Sequence, residues 1–143
     1  SDPLEALEVL GRGLIPVFGG IIPSFTTDAV AALIAEAVKG EFVNLTDVDG
    51  IYSSDPKKNS NAKFFHEISY EKLISMVKLS QSKPGQNMVL DLACCNILKR
   101  SQIKSVVMNG NDLENFEAFV QGSEFKGTVI GHSETNESEH ETG

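Results

Sequence analysis

Two stretches of this 143-residue chain carry side chains whose types and spacing suit anion and nucleotide chemistry. The first is Gly19-Gly20-Ile21-Ile22-Pro23-Ser24-Phe25-Thr26-Thr27-Asp28. Its two glycines let the backbone come close to a ligand. Thr26 and Thr27 then stand where a helix should begin. The free N–H groups and dipole of a helix N-terminus favour an anion such as phosphate. The same residues also make an ordinary turn with a good helix cap, and spacing alone does not separate the two. Asp28 is equally ambiguous. A first-turn acid suits the helix dipole, but beside a phosphate it repels the ligand unless it holds a lysine or a metal.

The second stretch is Thr46-Asp47-Val48-Asp49-Gly50-Ile51-Tyr52-Ser53-Ser54-Asp55-Pro56-Lys57-Lys58. Asp47 and Asp49 hint at a calcium loop, but no glutamate stands at the twelfth position. Tyr52 offers a flat face to a base, and Lys57 and Lys58 offer positive charge to a polyphosphate. A solvated surface loop is the alternative, although so long a loop in a compact domain is uncommon unless functional. His66, His132 and His140 show no ligand spacing. Cys94 and Cys95 are adjacent, which strains a disulfide, and no CxxC exists. They read as two reduced thiols on a buried helix, and no metal site is expected.

The elements that must position these loops follow from the apolar pattern. A helix over Leu4–Leu10 opens the chain, with Ser1 or Asp2 as cap and Pro3 in its first turn. This opening, without Met and in a helix, suggests a piece of something longer. Leu14–Phe18 reads as a buried strand, weakened by Pro16. Thr26 or Thr27 caps a helix over Asp28–Val38 that closes near Gly40. Glu41–Leu45 is the next strand, followed by the long loop 46–63. Phe64–Ile68 is a strand, and Ser69 caps a helix to about Leu79. Residues 81–86 form a turn, and Asn87–Arg100 a helix. Lys104–Met108 is a strand, Asp112 caps a helix ended by Gly122, and Gly127–Ile130 is the last strand. Strands alternating with helices imply a mostly parallel sheet, whose ligands sit at the carboxyl ends of strands. Both loops of interest follow strands and so fall on that edge.

Charge and composition narrow the partners. Twenty acids against twelve bases give a formal charge of −8. Four of the acids, Glu134, Glu137, Glu139 and Glu141, lie in the last eleven residues. A chain of this sign suits neither duplex nucleic acid nor an anionic membrane surface. At 41% apolar it can build a core. It has no run of eighteen apolar residues, and its first residues lack a secretory n-region and h-region. A soluble, cytoplasmic protein is expected.

Taken together, Gly13–Gly20, Thr26-Thr27-Asp28-Ala29-Val30-Ala31-Ala32, Thr46–Tyr52 and Asp55-Pro56 resemble the amino-acid-kinase family, in its archaeal UMP-kinase branch. Asp91-Leu92-Ala93, Arg100-Ser101, Asn109-Gly110 and Gly127–Ile130 continue the likeness in order. The resemblance implies an α/β fold, a three-layer αβα sandwich whose N-terminal part is absent here. Residues 1–130 would be the C-terminal portion of an amino-acid-kinase domain, and residues 131–143 an acidic disordered tail. It implies transfer of the γ-phosphoryl of ATP to UMP, with Mg²⁺, in pyrimidine nucleotide biosynthesis. It also implies a homo-oligomer, hexameric in the family.

Residue by residue, Gly20, Ile21, Ile22, Pro23, Ser24, Phe25 and Thr26 match the loop that wraps UMP. Asp28 matches the carboxylate that organises the catalytic lysines. Thr46, Tyr52 and Asp55 match positions that hold ATP, with Tyr52 beside the adenine. Two positions depart from the family loop: Ile21 replaces a threonine and Ser24 a glycine. The family's Lys-x-Gly-Gly-Ser loop, which cradles the ATP phosphates, has no counterpart. Weak or no activity is therefore expected of this chain alone. The alternative is a non-catalytic relative that binds a nucleotide or another oxyanion.

Overall fold

The computed structural model of the chain describes residues 2–20, 23–83 and 88–131. Helix α1 (Glu5–Gly11) is followed by α2 (Thr27–Val38) and strand β1 (Phe42–Thr46). Short strands β2 (Ile51–Tyr52), β3 (Phe64–Phe65) and β4 (Glu67–Ser69) come next, then α3 (Tyr70–Gln81) and α4 (Leu92–Arg100). Strand β5 (Ser105–Asn109), α5 (Leu113–Val120) and β6 (Thr128–Gly131) complete the order. The main sheet runs β1-β5-β6-β4. Pairs β1–β5 and β4–β6 are parallel, and only β5–β6 is antiparallel. The expected mixed α/β class with a mostly parallel sheet is what forms.

Strand β5 explains why the sheet has layers on both sides. Ser105, Val106, Val107 and Met108 are buried in succession, so both of its faces are covered. Helices α2 and α3 both pack on α4, joining Ala32, Leu73, Val77, Cys95 and Leu98 in a single core. Both cysteines are buried and unbridged, as expected. Burial pushes the Cys95 thiol up to about 12, so it stays protonated and inert.

Four of the five helices among the described residues start at a side-chain cap. The hydroxyls of Thr26 and Ser69 accept the N–H groups of Ala29 and Lys72, and Asp112 accepts that of Asn115. Losing such a cap typically costs about 1 kcal/mol. Helix α1 is not capped by Ser1 or Asp2 as expected: Leu4 stands at its N-cap, and the Asp2 carboxylate accepts the Leu4 N–H at 3.0 Å ahead of the helix. At the far end of α2 the left-handed residue is Lys39, not Gly40, with φ +53°. The Gly40 N–H still closes the helix on the Ala35 carbonyl at 2.9 Å.

Four further expectations need correction. Leu14–Phe18 is not a strand: it joins no ladder among the described residues, Pro16 has no N–H to give, and Leu14, Ile15 and Val17 are exposed. The stretch 46–63 is not one open loop, because β2 within it pairs with β3 as a hairpin. The single strand expected over Phe64–Ile68 is two strands in two sheets. The chain crosses between them at His66, whose carbonyl accepts the Val129 N–H at 2.9 Å. Helix α4 begins at Leu92, not near Asn87. Asp91 captures the Cys94 N–H at 2.8 Å, and the Asn44 amide takes the Val89 carbonyl at 3.0 Å, so the residues before Asp91 are held outside the helix. Gly131 belongs to β6. The rest of the expected tail, together with Ile21, Ile22 and residues 84–86 of the expected 81–86 turn, lies outside the described residues.

Candidate functional site

A cleft of about 560 Å³ opens beyond the carboxyl end of β1. One wall is the chain from Thr46 to Lys57, and the other is Met76, Leu79 and Lys83 of α3 and its end, with Met88 and Val89. The mixture suits a nucleotide: aliphatic and thioether side chains for a base, hydroxyls and charge for sugar and phosphate. Thr46, Tyr52 and Asp55, singled out for ATP, all line it.

The Thr46–Lys57 wall is fixed from behind. The buried Thr128 hydroxyl accepts the Ile51 N–H at 2.8 Å and donates to the Phe65 carbonyl, clamping both strands of the small hairpin to β6. Gly50 sits against this clamp. A Cβ there would come within 2.5 Å of Thr128 Oγ1 and 2.8 Å of the Phe64 ring, so no larger residue fits without displacement. Asp49 ties the loop to two further elements. Its carboxylate accepts from Lys126 Nζ at 2.6 Å and from the Asn109 amide at 3.2 Å. The Lys126 hydrogen bond, then that of Asn109, hold the Asp49 carboxyl below its ordinary range.

Within the cleft the Tyr52 ring stands edge-on to Phe64, with centroids 5.1 Å apart. Asp55 folds the loop back on itself. Its carboxylate accepts the Lys57 N–H at 2.9 Å and its carbonyl the Asn59 N–H at 2.9 Å. Lys57 does not stand free for a polyphosphate, since its Nζ lies 3.2 Å from Asp47 Oδ2. That hydrogen bond lowers the Asp47 carboxyl. Lys83 is the lining cation with no acidic partner among the described residues.

The acceptor-side candidates lie elsewhere. Gly20 borders a separate, shallower depression of about 340 Å³ with Glu5, Val9 and the segment Ile15–Gly19. Pro23, Ser24, Phe25 and Thr26 are exposed and line neither hollow. Ser24 adopts φ +69°, the left-handed geometry that a glycine takes freely, so the serine accepts the backbone shape at some strain. Asp28 is half-buried at the start of α2. Burial raises its carboxyl, and the nearby Asp91 charge raises it further. No cation pairs with it among the described residues.

Asp91 was missed as a site residue. Its carboxylate caps α4 through the Cys94 N–H and also accepts the Thr26 hydroxyl proton, joining the first turns of α2 and α4. Thr26 has only that one proton, so in this arrangement it faces a ligand solely as an acceptor. The sequence placed it inside an expected helix over Asn87–Arg100 and gave Asp91-Leu92-Ala93 only as part of the family likeness, with no role attached. Met76, Leu79, Lys83, Met88 and Val89 were missed for a different reason: they are distant in sequence and meet the loop only through folding.

Comparison with known proteins fits this geometry. Residues 2–109 match the profile of the amino acid kinase family. A uridylate kinase of Thermococcus sibiricus is 41% identical over 131 residues, covering 91% of this chain and 58% of that protein. A uridylate kinase of Archaeoglobus fulgidus is 43% identical over 130 residues. The crystal structure of the Archaeoglobus fulgidus uridylate kinase superposes with a TM-score of 0.75 at 40% identity, over 91% of this chain and 58% of that one. The UMP kinase of Bacillus anthracis gives 0.74 at 26% identity, over 92% and 51%. The chain therefore spans a little over half the length of the relatives it matches. From the shared sheet and the matched stretch from Asp2 to Asn109, this chain belongs to the amino acid kinase family.

Proposed function

We propose that this chain forms the ATP-base side and part of the acceptor side of a UMP kinase, which moves the γ-phosphoryl of ATP to UMP. The observation that carries the reading is the gathering of Thr46, Tyr52 and Asp55 on one cleft, walled by Met76, Leu79, Met88 and Val89. In this reading the adenine lies against Tyr52 and the aliphatic wall. Thr46 and Asp55 orient the ribose and the start of the phosphate chain, and Lys83 supplies nearby positive charge. UMP is held by Gly20 to Thr26, with its phosphate toward the N-terminus of α2. Asp28 acts as a positioning carboxylate for cations that neutralise the transferred group. Phosphoryl transfer needs little beyond such alignment and charge neutralisation.

Mg²⁺ would travel on the nucleotide phosphates. Among the described residues no three His, Cys, Asp or Glu side chains converge, and Mg²⁺ keeps water and phosphate ligands readily. Assembly into a homo-oligomer, a place in pyrimidine nucleotide biosynthesis and a cytoplasmic setting belong to the same proposal. No described helix is long and apolar enough to cross a membrane.

A second reading has its own support. Asp28 lacks a cation among the described residues, and its loop lies outside the cleft. That favours nucleotide binding without transfer by this chain alone. The test compares calorimetric binding of ATP with Mg²⁺ to this chain and UDP formation by the complete protein carrying Asp28→Asn. The proposal expects binding by the chain and a loss of turnover of about a hundredfold or more in the variant. Unchanged turnover removes Asp28 from the reaction.

A further inference from the structure

We infer that Lys126, on the connection from α5 to β6, is a positioning residue for the adenine nucleotide: through Asp49 it holds the bend that joins Thr46 to Tyr52. This role rests on the reading of the cleft as the adenine side of a kinase site.

The bend has few supports of its own. At one end the Thr46 carbonyl accepts the Gly110 N–H at 2.8 Å, and at the other the Thr128 hydroxyl takes the Ile51 N–H at 2.8 Å. Between these points no backbone hydrogen bond among the described residues holds residues 47–50. Side chains must therefore fix the turn. Asp47 pairs with Lys57 of the same cleft wall, which ties the loop only to itself. Asp49 reaches out of the loop, and it stands midway in sequence between Thr46 and Tyr52. Lys126 Nζ donates to its Oδ2 at 2.6 Å, and the Asn109 amide to its Oδ1 at 3.2 Å. The shorter bond joins two charged groups and is the stronger of the pair.

The ammonium stands on a fixed base. The Lys126 N–H donates to Asn115 Oδ1 at 2.7 Å, and the Lys126 carbonyl accepts from Asn115 Nδ2 at 2.7 Å. One side chain of α5 thus holds both of its backbone groups. The next residue, Gly127, lies so close to β5 that a Cβ there would fall 2.8 Å from the Val107 carbonyl oxygen. The hydrogen bond and charge of Asp49 raise the Lys126 ammonium above its ordinary value, and the Tyr52 and Asp112 charges add to this. Lys126 is therefore within electrostatic reach of the ring that the adenine would meet.

Lys126 is not among the residues that line the cleft, so it acts on the nucleotide through Asp49 and not by touching it. The side chains of the pair are 64% and 35% exposed. Exposed ion pairs add little to folding stability. The consequence of this one lies in the shape of the bend. A bend left loose must be ordered by the ligand, and affinity falls by that cost.

The test titrates adenosine, and separately ADP with Mg²⁺, into the full chain by amide NMR. Adenosine is uncharged, so attraction of phosphate by Lys126 does not enter its affinity. Lys126→Met should weaken both ligands alike, by about three- to fivefold, while the Tm stays close to that of the unaltered chain. Added to Asp49→Asn, the same change should cause no further loss, because the two residues act as one unit. Unchanged affinity in Lys126→Met overturns the role. So does a loss for ADP alone, which would make Lys126 a charge for the phosphates, or a full loss that persists in the Asp49→Asn background. If the unaltered chain binds neither adenosine nor ADP, the adenine reading of the cleft falls and this role with it. If the unaltered chain binds both and only the Lys126 results fail, that reading stands and the role alone is lost.

Discussion

The loop beyond β1 and the stretch from Leu14 to Asp28 begin alike, each opening on a largely apolar run and containing glycine and polar residues. They end differently. The first is held by this chain's own elements: Thr128 clamps the hairpin, Asp49 binds Lys126 and Asn109, and α3 closes the opposite wall. The second is tied down mainly at its end, where Thr26 caps α2 and donates to Asp91. The cleft is thus built by local and sheet contacts within the chain, whereas few described contacts hold the stretch before Thr26. A region's readiness for ligand depends on where its supports are encoded.

Breaking the clamp should have the largest effect. Gly50→Ala drives a methyl into Thr128 and Phe64, and should lower the unfolding free energy by about 2–3 kcal/mol in urea titrations. ATP binding should weaken in parallel. Thr128→Val keeps the shape but strands the Ile51 N–H, a buried donor. It should cost about 1–3 kcal/mol by the same measurement.

On the other side of the comparison, changes should be tolerated or helpful. Ser24→Gly relieves a left-handed serine and should raise stability by about 1 kcal/mol. A loss would mean that the Ser24 hydroxyl supports the loop. The smallest effect concerns pH. The Asp28 carboxyl is raised above its ordinary 3.8 by burial and by Asp91, so the native state binds its proton more readily than the unfolded chain. Its contribution to stability therefore becomes less favourable as pH rises from the unfolded value through the folded one. Asp28→Asn should stabilise the chain at neutral pH, and the gain should vanish below about pH 3.8, as thermal melts across pH would show.

Much of this was readable in the residues themselves. The caps at Thr26, Ser69 and Asp112 announce their helices because a short polar side chain precedes an apolar period. Thr46, Tyr52 and Asp55 were grouped by the family resemblance, and they meet on one cleft because the chain from Thr46 to Lys57 forms one of its walls. Other features depended on contacts between distant parts of the chain. An isolated threonine at 128 says nothing of the two strands it clamps. The apolar Met88-Val89-Leu90 continues a helical pattern until the Asn44 amide claims the Val89 carbonyl. Leu14–Phe18 was read as a strand from its apolar composition and is not one: a ladder needs a neighbour, and composition does not supply one.

The central claim is that the cleft binds an adenine nucleotide on its own while the acceptor loop does not yet respond. The most direct measurement is an amide NMR titration of this chain with ADP and Mg²⁺. The account predicts shifts at Thr46–Lys57, around Met76–Lys83 and at Met88–Val89, with Ser24 to Asp28 unmoved. Shifts confined to Ser24–Asp28, or none at Tyr52 at saturating ADP, would contradict it.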